Sequence, residues 1–185
     1  MAHVRRPCAQ NHAAFIMRLL REQGRQPFCV DVDYHAGDGT AAILAGTGTA
    51  SEQMVSLHAA RDYPFLTPGL PWAVEVPPAA PWAVYEPLLL AALSRRPPAC
   101  DVLVLSLGFD TLAGDPDARD GHRLALQPAD FGRLREVLDG CGLPLIAVQE
   151  GGYHLDEIPA AAEAFCTFHS AGDAARDALT AHKDT

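Results

Sequence analysis

Asp31, Asp33 and His35 occupy alternate positions in Phe28-Cys29-Val30-Asp31-Val32-Asp33-Tyr34-His35-Ala36-Gly37-Asp38-Gly39-Thr40. The stretch opens apolar and β-prone, as a buried strand does. In an extended chain, residues two apart share a side, so this spacing projects two carboxylates and an imidazole together from a strand end. Oxygen and nitrogen donors grouped in this way suit a divalent metal. Three such groups leaving a buried strand are costly without a cation or hydrogen-bonding partners.

Two further strands end in polar, glycine-containing turns. If the sheet is parallel, Asp31–Gly39, Gly108–Asp115 and Glu150–Tyr153 all fall on one sheet edge, where Asp33, His35 and Asp110 can meet. Two carboxylates and one imidazole leave a metal position open, the pattern of a catalytic site. A metal there polarises an amide carbonyl and acidifies a bound water. Tyr153, on the Gly151-Gly152 turn, is a hydrogen-bond donor for a developing oxyanion. Taken singly, Asp110 reads as a cap or turn former, Tyr153 as a packed aromatic with its hydroxyl at the surface, and His58 as a satisfied histidine. Asp115-Pro116 and Asp117 read as a turn.

The elements that must position these groups follow from periodicity. Asn11–Gly24 reads as a helix capped by Asn11 and stopped by Gly24. Residues 27–34 read as the first strand, 41–51 as a short helix or loop, and 54–58 as a short second strand. The proline-rich run from Arg61 to Pro81 reads as an irregular, functional loop that excludes a helix or central strand. Residues 82–95 read as a helix with Pro87 in or near its first turns. Asp101–Leu107 is a continuous apolar strand, buried on both faces of a parallel sheet. A loop over 109–127 follows. A helix spans 128–139, opened by Pro128 and closed by Gly140. The fourth strand is Leu145–Gln149, and a final helix covers about 155–170. Strand–helix alternation of this kind predicts an α/β domain, a parallel sheet with helices on both faces. With no internal repeat or linker, residues 1–185 read as one domain.

The net charge of −9, without a Lys/Arg run, argues against nucleic acid and anionic membranes as partners. Five cysteines, Cys8, Cys29, Cys100, Cys141 and Cys166, include no CxxC pair and read as free buried thiols of a reducing cytoplasm. No apolar stretch is long enough for a membrane span, and the first residues lack the apolar stretch of a secretory signal.

Asp31-Val32-Asp33-Tyr34-His35-Ala36-Gly37-Asp38-Gly39-Thr40, Ser56-Leu57-His58, Ser106-Leu107-Gly108-Phe109-Asp110-Thr111-Leu112-Ala113-Gly114-Asp115-Pro116 and Glu150-Gly151-Gly152-Tyr153 together resemble the histone deacetylase superfamily. Asp62-Tyr63-Pro64-Phe65 and Val148–Tyr153 lean towards its bacterial branch, which includes acetylpolyamine amidohydrolases. The resemblance runs from about Asn11 to Phe168. It implies the arginase–deacetylase fold and a zinc-dependent hydrolase that removes acetyl from a small acetylated amine or an acetyl-lysine peptide. Asp33, His35 and Asp110 match the Zn²⁺ ligands, and Tyr153 the carbonyl-polarising tyrosine. Asp31 matches an aspartate that orients a catalytic histidine and helps bind a monovalent cation. That K⁺ site would draw on Asp31, Ser56 and the main-chain carbonyls of Asp33, His35 and Leu57. Asp38 matches the aspartate behind a second catalytic histidine. Phe65 and Gly152 match positions at the substrate tunnel.

The same resemblance carries departures. The family's His-His general base and acid falls just before Met1, so the expectation is a chain lacking the N-terminal part of the fold. Arg6-Pro7 stands where a Gly-Phe wall is usual, Ala36 where a second histidine is usual, and Leu66–Val76 where a longer Gly-rich loop is usual. His3 and His12 read as surface histidines. Two readings follow: a zinc deacetylase impaired by loss of its base, or an inactive metal-binding relative. A two-metal arginase-type hydrolase needs more ligands around the second and third strands than the sequence holds. Bare strand edges where the N-terminal strands would pack predict self-association, a homo-oligomer.

Overall fold

The computed structural model describes residues 11–46, 53–65 and 69–167. Ten elements follow in order: α1 (His12–Glu22), β1 (Pro27–Asp31), α2 (Asp38–Ala45), β2 (Met54–Ala59), β3 (Ala73–Val76), α3 (Trp82–Leu93), β4 (Val102–Leu107), α4 (Pro128–Asp139), β5 (Leu145–Gln149) and α5 (Ile158–Cys166). The sheet is five-stranded in the order β3-β2-β1-β4-β5, and every pairing is parallel. The chain winds outward from β1 through β2 to β3, then restarts on the other side with β4. The β1/β4 boundary is therefore the topological switch point, where open parallel sheets leave a crevice beyond their strand C-termini.

Strand alternation divides the core between two faces. Phe28, Val30, Leu57, Leu103 and Leu105 pack in one cluster with Tyr85, Leu89, Phe131 and Phe165 of α3, α4 and α5. Cys29, Met54 and Val104 face the other way, onto Ala13, Met17 and Leu44 of α1 and α2. The two central strands, β1 and β4, are buried along their whole length, as their unbroken apolar runs require. On the α1 side, the alternation that points Cys29, Met54 and Val104 inward also points Asp31, Ser56 and Ser106 inward, and these three are adjacent in register.

Local signals account for most boundaries. The Asn11 side chain accepts the Ala14 N–H at 2.7 Å, capping α1, and donates to Thr40 Oγ at 2.8 Å, tying α1 to α2. Gly24 follows α1 at φ +77°. A reciprocal capping box between Gln127 and Asp130 opens α4. Pro87 lies inside α3 with its ring exposed to solvent.

Four expectations change. The first strand ends at Asp31, because the Asp31 and Asp33 carboxylates each accept the N–H two residues on, at 3.0 and 2.9 Å, and turn the chain. Helix α2 starts at Asp38, ahead of residue 41, and ends at Ala45; residues 47–52 lie outside the described set. The proline-rich run contains the edge strand β3, paired with β2 from Ser56↔Ala73 to Ala59↔Val76. The last helix spans Ile158–Cys166, shorter than 155–170, and residues from 168 lie outside the described set. His3, Cys8, Arg6-Pro7 and residues 66–68 are likewise outside it.

Candidate metal centre

Asp33, His35 and Asp110 converge at the β1/β4 switch point, with one ligand atom from each within 4.8 Å of the others. His35 Nδ1 lies 3.5 Å from Asp33 Oδ1 and 3.6 Å from Asp110 Oδ2. Backbone amides hold the carboxylates: Tyr34 N–H donates to Asp110 Oδ1 at 3.0 Å, and Gly151 N–H to Asp33 Oδ2 at 2.9 Å. A side chain at residue 151 would fall on the Asp110 carboxylate, so only glycine lets the Glu150–Tyr153 turn pass this close.

Burial and the Asp33 charge push Asp110 up to about 7. Burial pulls the His35 imidazole down, yet the facing Asp110 and Asp33 carboxylates outweigh it and raise His35 to about 9. A proton on His35 and a divalent cation are thus alternative partners for the same two carboxylates. The mixed O/N donor set, its tight spacing and its remaining open side fit a catalytic zinc.

Asp31 departs from the alternation reading. It lies on the α1 face of the sheet, 3% exposed, and its carboxylate abuts Gly37 rather than joining the cluster. Burial, and then the Asp33 charge, hold it well above the ordinary carboxylate range. Ser56 Oγ accepts the Gly37 N–H at 3.1 Å, one strand over from Asp31, and Leu57 is fully buried in the opposite face. Asp38 sits exposed in the first turn of α2, where its carboxylate accepts the Gly39 N–H at 2.8 Å.

The cleft over these groups has a volume of about 510 Å³, lined by the cluster together with Asp31, Asp38, Glu150, Gly151 and Tyr153. A larger cavity of about 1090 Å³ lies over α1 and α2, but it is mainly apolar and holds no ligand cluster among the described residues. Among the described residues, His35 is the only imidazole lining the functional cleft; His12 is exposed on the α1 side. Tyr153 reaches the cleft from the Gly151-Gly152 turn, with 53% of its surface exposed. Gly152 (φ +132°) packs against Phe109, and a Cβ there would lie 2.6 Å from that side chain. It supports Tyr153 without itself lining the cleft. Phe65, also exposed, stands outside the cleft wall, edge-on to Tyr63, which does line it.

Two contributors were not read from sequence. Glu150 accepts the Ser106 hydroxyl at 3.1 Å and is raised above its ordinary pKa by burial. Asp115 is fully buried and accepts backbone N–H groups from Tyr153 and His154. The buried position of Asp115 follows from long-range packing; its sequence signals were the Asp-Pro turn and its place in the Ser106–Pro116 stretch.

The Histone deacetylase domain model matches residues 8–168. The acetylpolyamine amidohydrolase of Burkholderia pseudomallei is 31% identical over 172 residues, covering 85% of this chain and 49% of that protein. Acetylpolyamine amidohydrolase 2 of Pseudomonas aeruginosa is 31% identical over 166 residues, covering 82% of this chain and 46% of that protein. The chain thus spans about half the length of the curated relatives it matches. A crystal structure of the Burkholderia pseudomallei acetylpolyamine aminohydrolase superposes with a TM-score of 0.72 at 31% identity, covering 85% of this chain and 48% of that one. The parallel sheet is that of the arginase–deacetylase fold. On the extent of the match and on the fold, the chain belongs to the histone deacetylase family.

Proposed function

We propose that these residues form the metal- and oxyanion-binding part of a zinc-dependent amidohydrolase that removes acetyl from an acetylated amine, an acetylpolyamine or acetyl-lysine. The convergence of Asp33, His35 and Asp110 in one cleft that Tyr153 also lines carries this reading. Zinc, when bound, supplies a Lewis acid for the amide carbonyl and a water of lowered pKa. Asp33, His35 and Asp110 hold it. The Tyr153 hydroxyl donates a hydrogen bond to the substrate oxygen as that atom gains charge. Asp31 and Asp38 are acceptors for imidazole N–H groups of a proton-transferring histidine pair, and Asp31 with Ser56 and the Leu57 carbonyl binds K⁺. Tyr63 borders the approach to the substrate, with Phe65 edge-on beside it, and Gly152 supports Tyr153. The acetylated amine is a small molecule or an exposed lysine; the acidic chain disfavours nucleic acid and membrane surfaces.

The same reading treats 1–185 as one cytoplasmic domain that self-associates at bare strand edges, where edge strand β5 is exposed at Ile146, Ala147 and Gln149. Removal of a general base typically costs ~10²–10⁴ in rate. A second reading, a metal-binding relative without turnover, is favoured by the lack of a second imidazole in the cleft among the described residues.

Zinc analysis of the purified chain, with turnover of an acetylated diamine and an acetyl-lysine peptide, separates the two. The enzyme reading expects one zinc per chain and slow turnover that disappears in Asp110→Ala. Stoichiometric zinc with turnover no higher than that variant would leave only the metal-binding reading.

A further inference from the structure

We propose that Asp115 is the positioning residue for Tyr153, locking its turn to the loop that delivers Asp110; the functional part of this inference rests on the oxyanion reading of Tyr153 above. Asp115 is 0% exposed. A carboxylate so placed needs donors, and it has three. Oδ1 accepts the Asp117 N–H at 2.9 Å, closing a turn in its own loop. Oδ2 accepts the Tyr153 N–H at 2.7 Å and the His154 N–H at 3.0 Å. Hydrogen bonds to an ionised acceptor are roughly twice as strong as neutral ones.

The loop that carries Asp115 is itself pinned. Its Leu112 N–H donates to the Phe109 carbonyl at 3.1 Å, Ala113 N–H to Leu126 at 2.8 Å, and Asp115 N–H to Leu112 at 3.2 Å. Asp110 lies at the start of this loop. One rigid segment therefore presents a metal ligand at one end and the anchor of the tyrosine turn at the other. More than half of the Tyr153 surface is exposed, and its backbone N–H is held by Asp115.

Asp115→Asn is nearly isosteric but offers one acceptor oxygen where two are used. Its NH₂ group must then face either the Asp117 or the Tyr153/His154 amides. Misplacement of a catalytic group by about 1 Å can cost about 10² in rate.

The test pairs amide exchange with kinetics on the zinc-loaded chain. In the wild-type protein, the Tyr153 and His154 amides should exchange at least about tenfold more slowly than that of the exposed Asp156. In Asp115→Asn that protection should fall about tenfold, while zinc affinity stays within about threefold. Turnover should fall about 10–100-fold in kcat with KM little changed. Tyr153→Phe/Asp115→Asn should be no worse than Tyr153→Phe alone, since the two act through one group. Unprotected wild-type amides would overturn the proposal, even if Asp115→Asn does not fold. So would a folded Asp115→Asn with wild-type protection, or an additive loss in the double variant. If Tyr153→Phe turns over like wild type, or the chain shows no turnover, the oxyanion reading fails or lacks support in kinetics, and the exchange data alone decide whether Asp115 anchors the turn.

Discussion

The cleft has two unequal halves. On one side Asp33, His35 and Asp110 are closed in upon one another and tied by backbone amides from Tyr34, His35 and Gly151. On the other, Asp31 is a buried carboxylate on the sheet face, and Asp38 is an exposed one on α2. The first half is assembled by this chain's own switch point between β1 and β4. In the proposed function the second offers acceptors for a proton-carrying partner. On that proposal metal binding and proton transfer are separable, and variants should divide accordingly.

The largest effect is expected in the first half. Asp110→Ala removes a ligand and leaves His35 facing a single carboxylate; zinc affinity should drop at least about 10²-fold by titration against a competing chelator. Gly151→Ala should come next, a loss of about tenfold or more with the fold retained by circular dichroism, because the added methyl would fall on the Asp110 carboxylate.

Acidity should weaken the same half. With His35 at about 9 and Asp110 at about 7, zinc displaces roughly one proton between pH 7 and 9 and more below. Apparent affinity should rise about tenfold per pH unit over that range. The metal-free protein should run the opposite way. Both groups have folded values above their ordinary ones, 6.5 for His35 and 3.8 for Asp110, so the stability they add is lost as pH rises. Asp110 contributes this loss between about 4 and 7, and His35 between about 6.5 and 9. Thermal melts with and without zinc would reveal the crossing trends; parallel trends would contradict them.

The second half should respond to potassium more than to zinc. Asp31→Asn keeps an acceptor for the Asp33 N–H while removing a charge that burial disfavours. Its folded pKa is raised, so the wild-type penalty grows with pH. The variant should melt a few degrees higher than wild type at pH 8 without potassium, and no differently at strongly acid pH. KCl in place of choline chloride should stabilise wild type but not the variant. Asp38→Asn should be smallest, with zinc affinity unchanged and stability within about 0.5 kcal/mol, as for an exposed side chain.

The sequence carried the alternation of elements and the three turns, because continuous apolar runs such as Val102–Leu107 and caps such as Asn11 are local signals. It did not carry β3. Pro71, Pro77 and Pro78 mask an edge strand whose pairing with β2 exists only in the folded sheet. It anticipated that Asp33, His35 and Asp110 meet at one sheet edge, but it grouped Asp31, Asp33 and His35 by strand alternation. The chain leaves the strand at Asp31, and two carboxylate-to-amide turns, rather than a β pleat, gather the ligands. Asp115 shows the limit most clearly. Its short-range turn with Asp117 was legible, whereas its bonds to Tyr153 and His154, 38 and 39 residues on, were not.

The most direct test of the central claim is X-ray absorption on the zinc-loaded chain. It should show only nitrogen and oxygen neighbours at ~2.0–2.2 Å, with one imidazole, and that signature should vanish in Asp110→Ala. A sulfur shell at ~2.3 Å, or an unchanged spectrum in Asp110→Ala, would place the metal elsewhere and contradict the account.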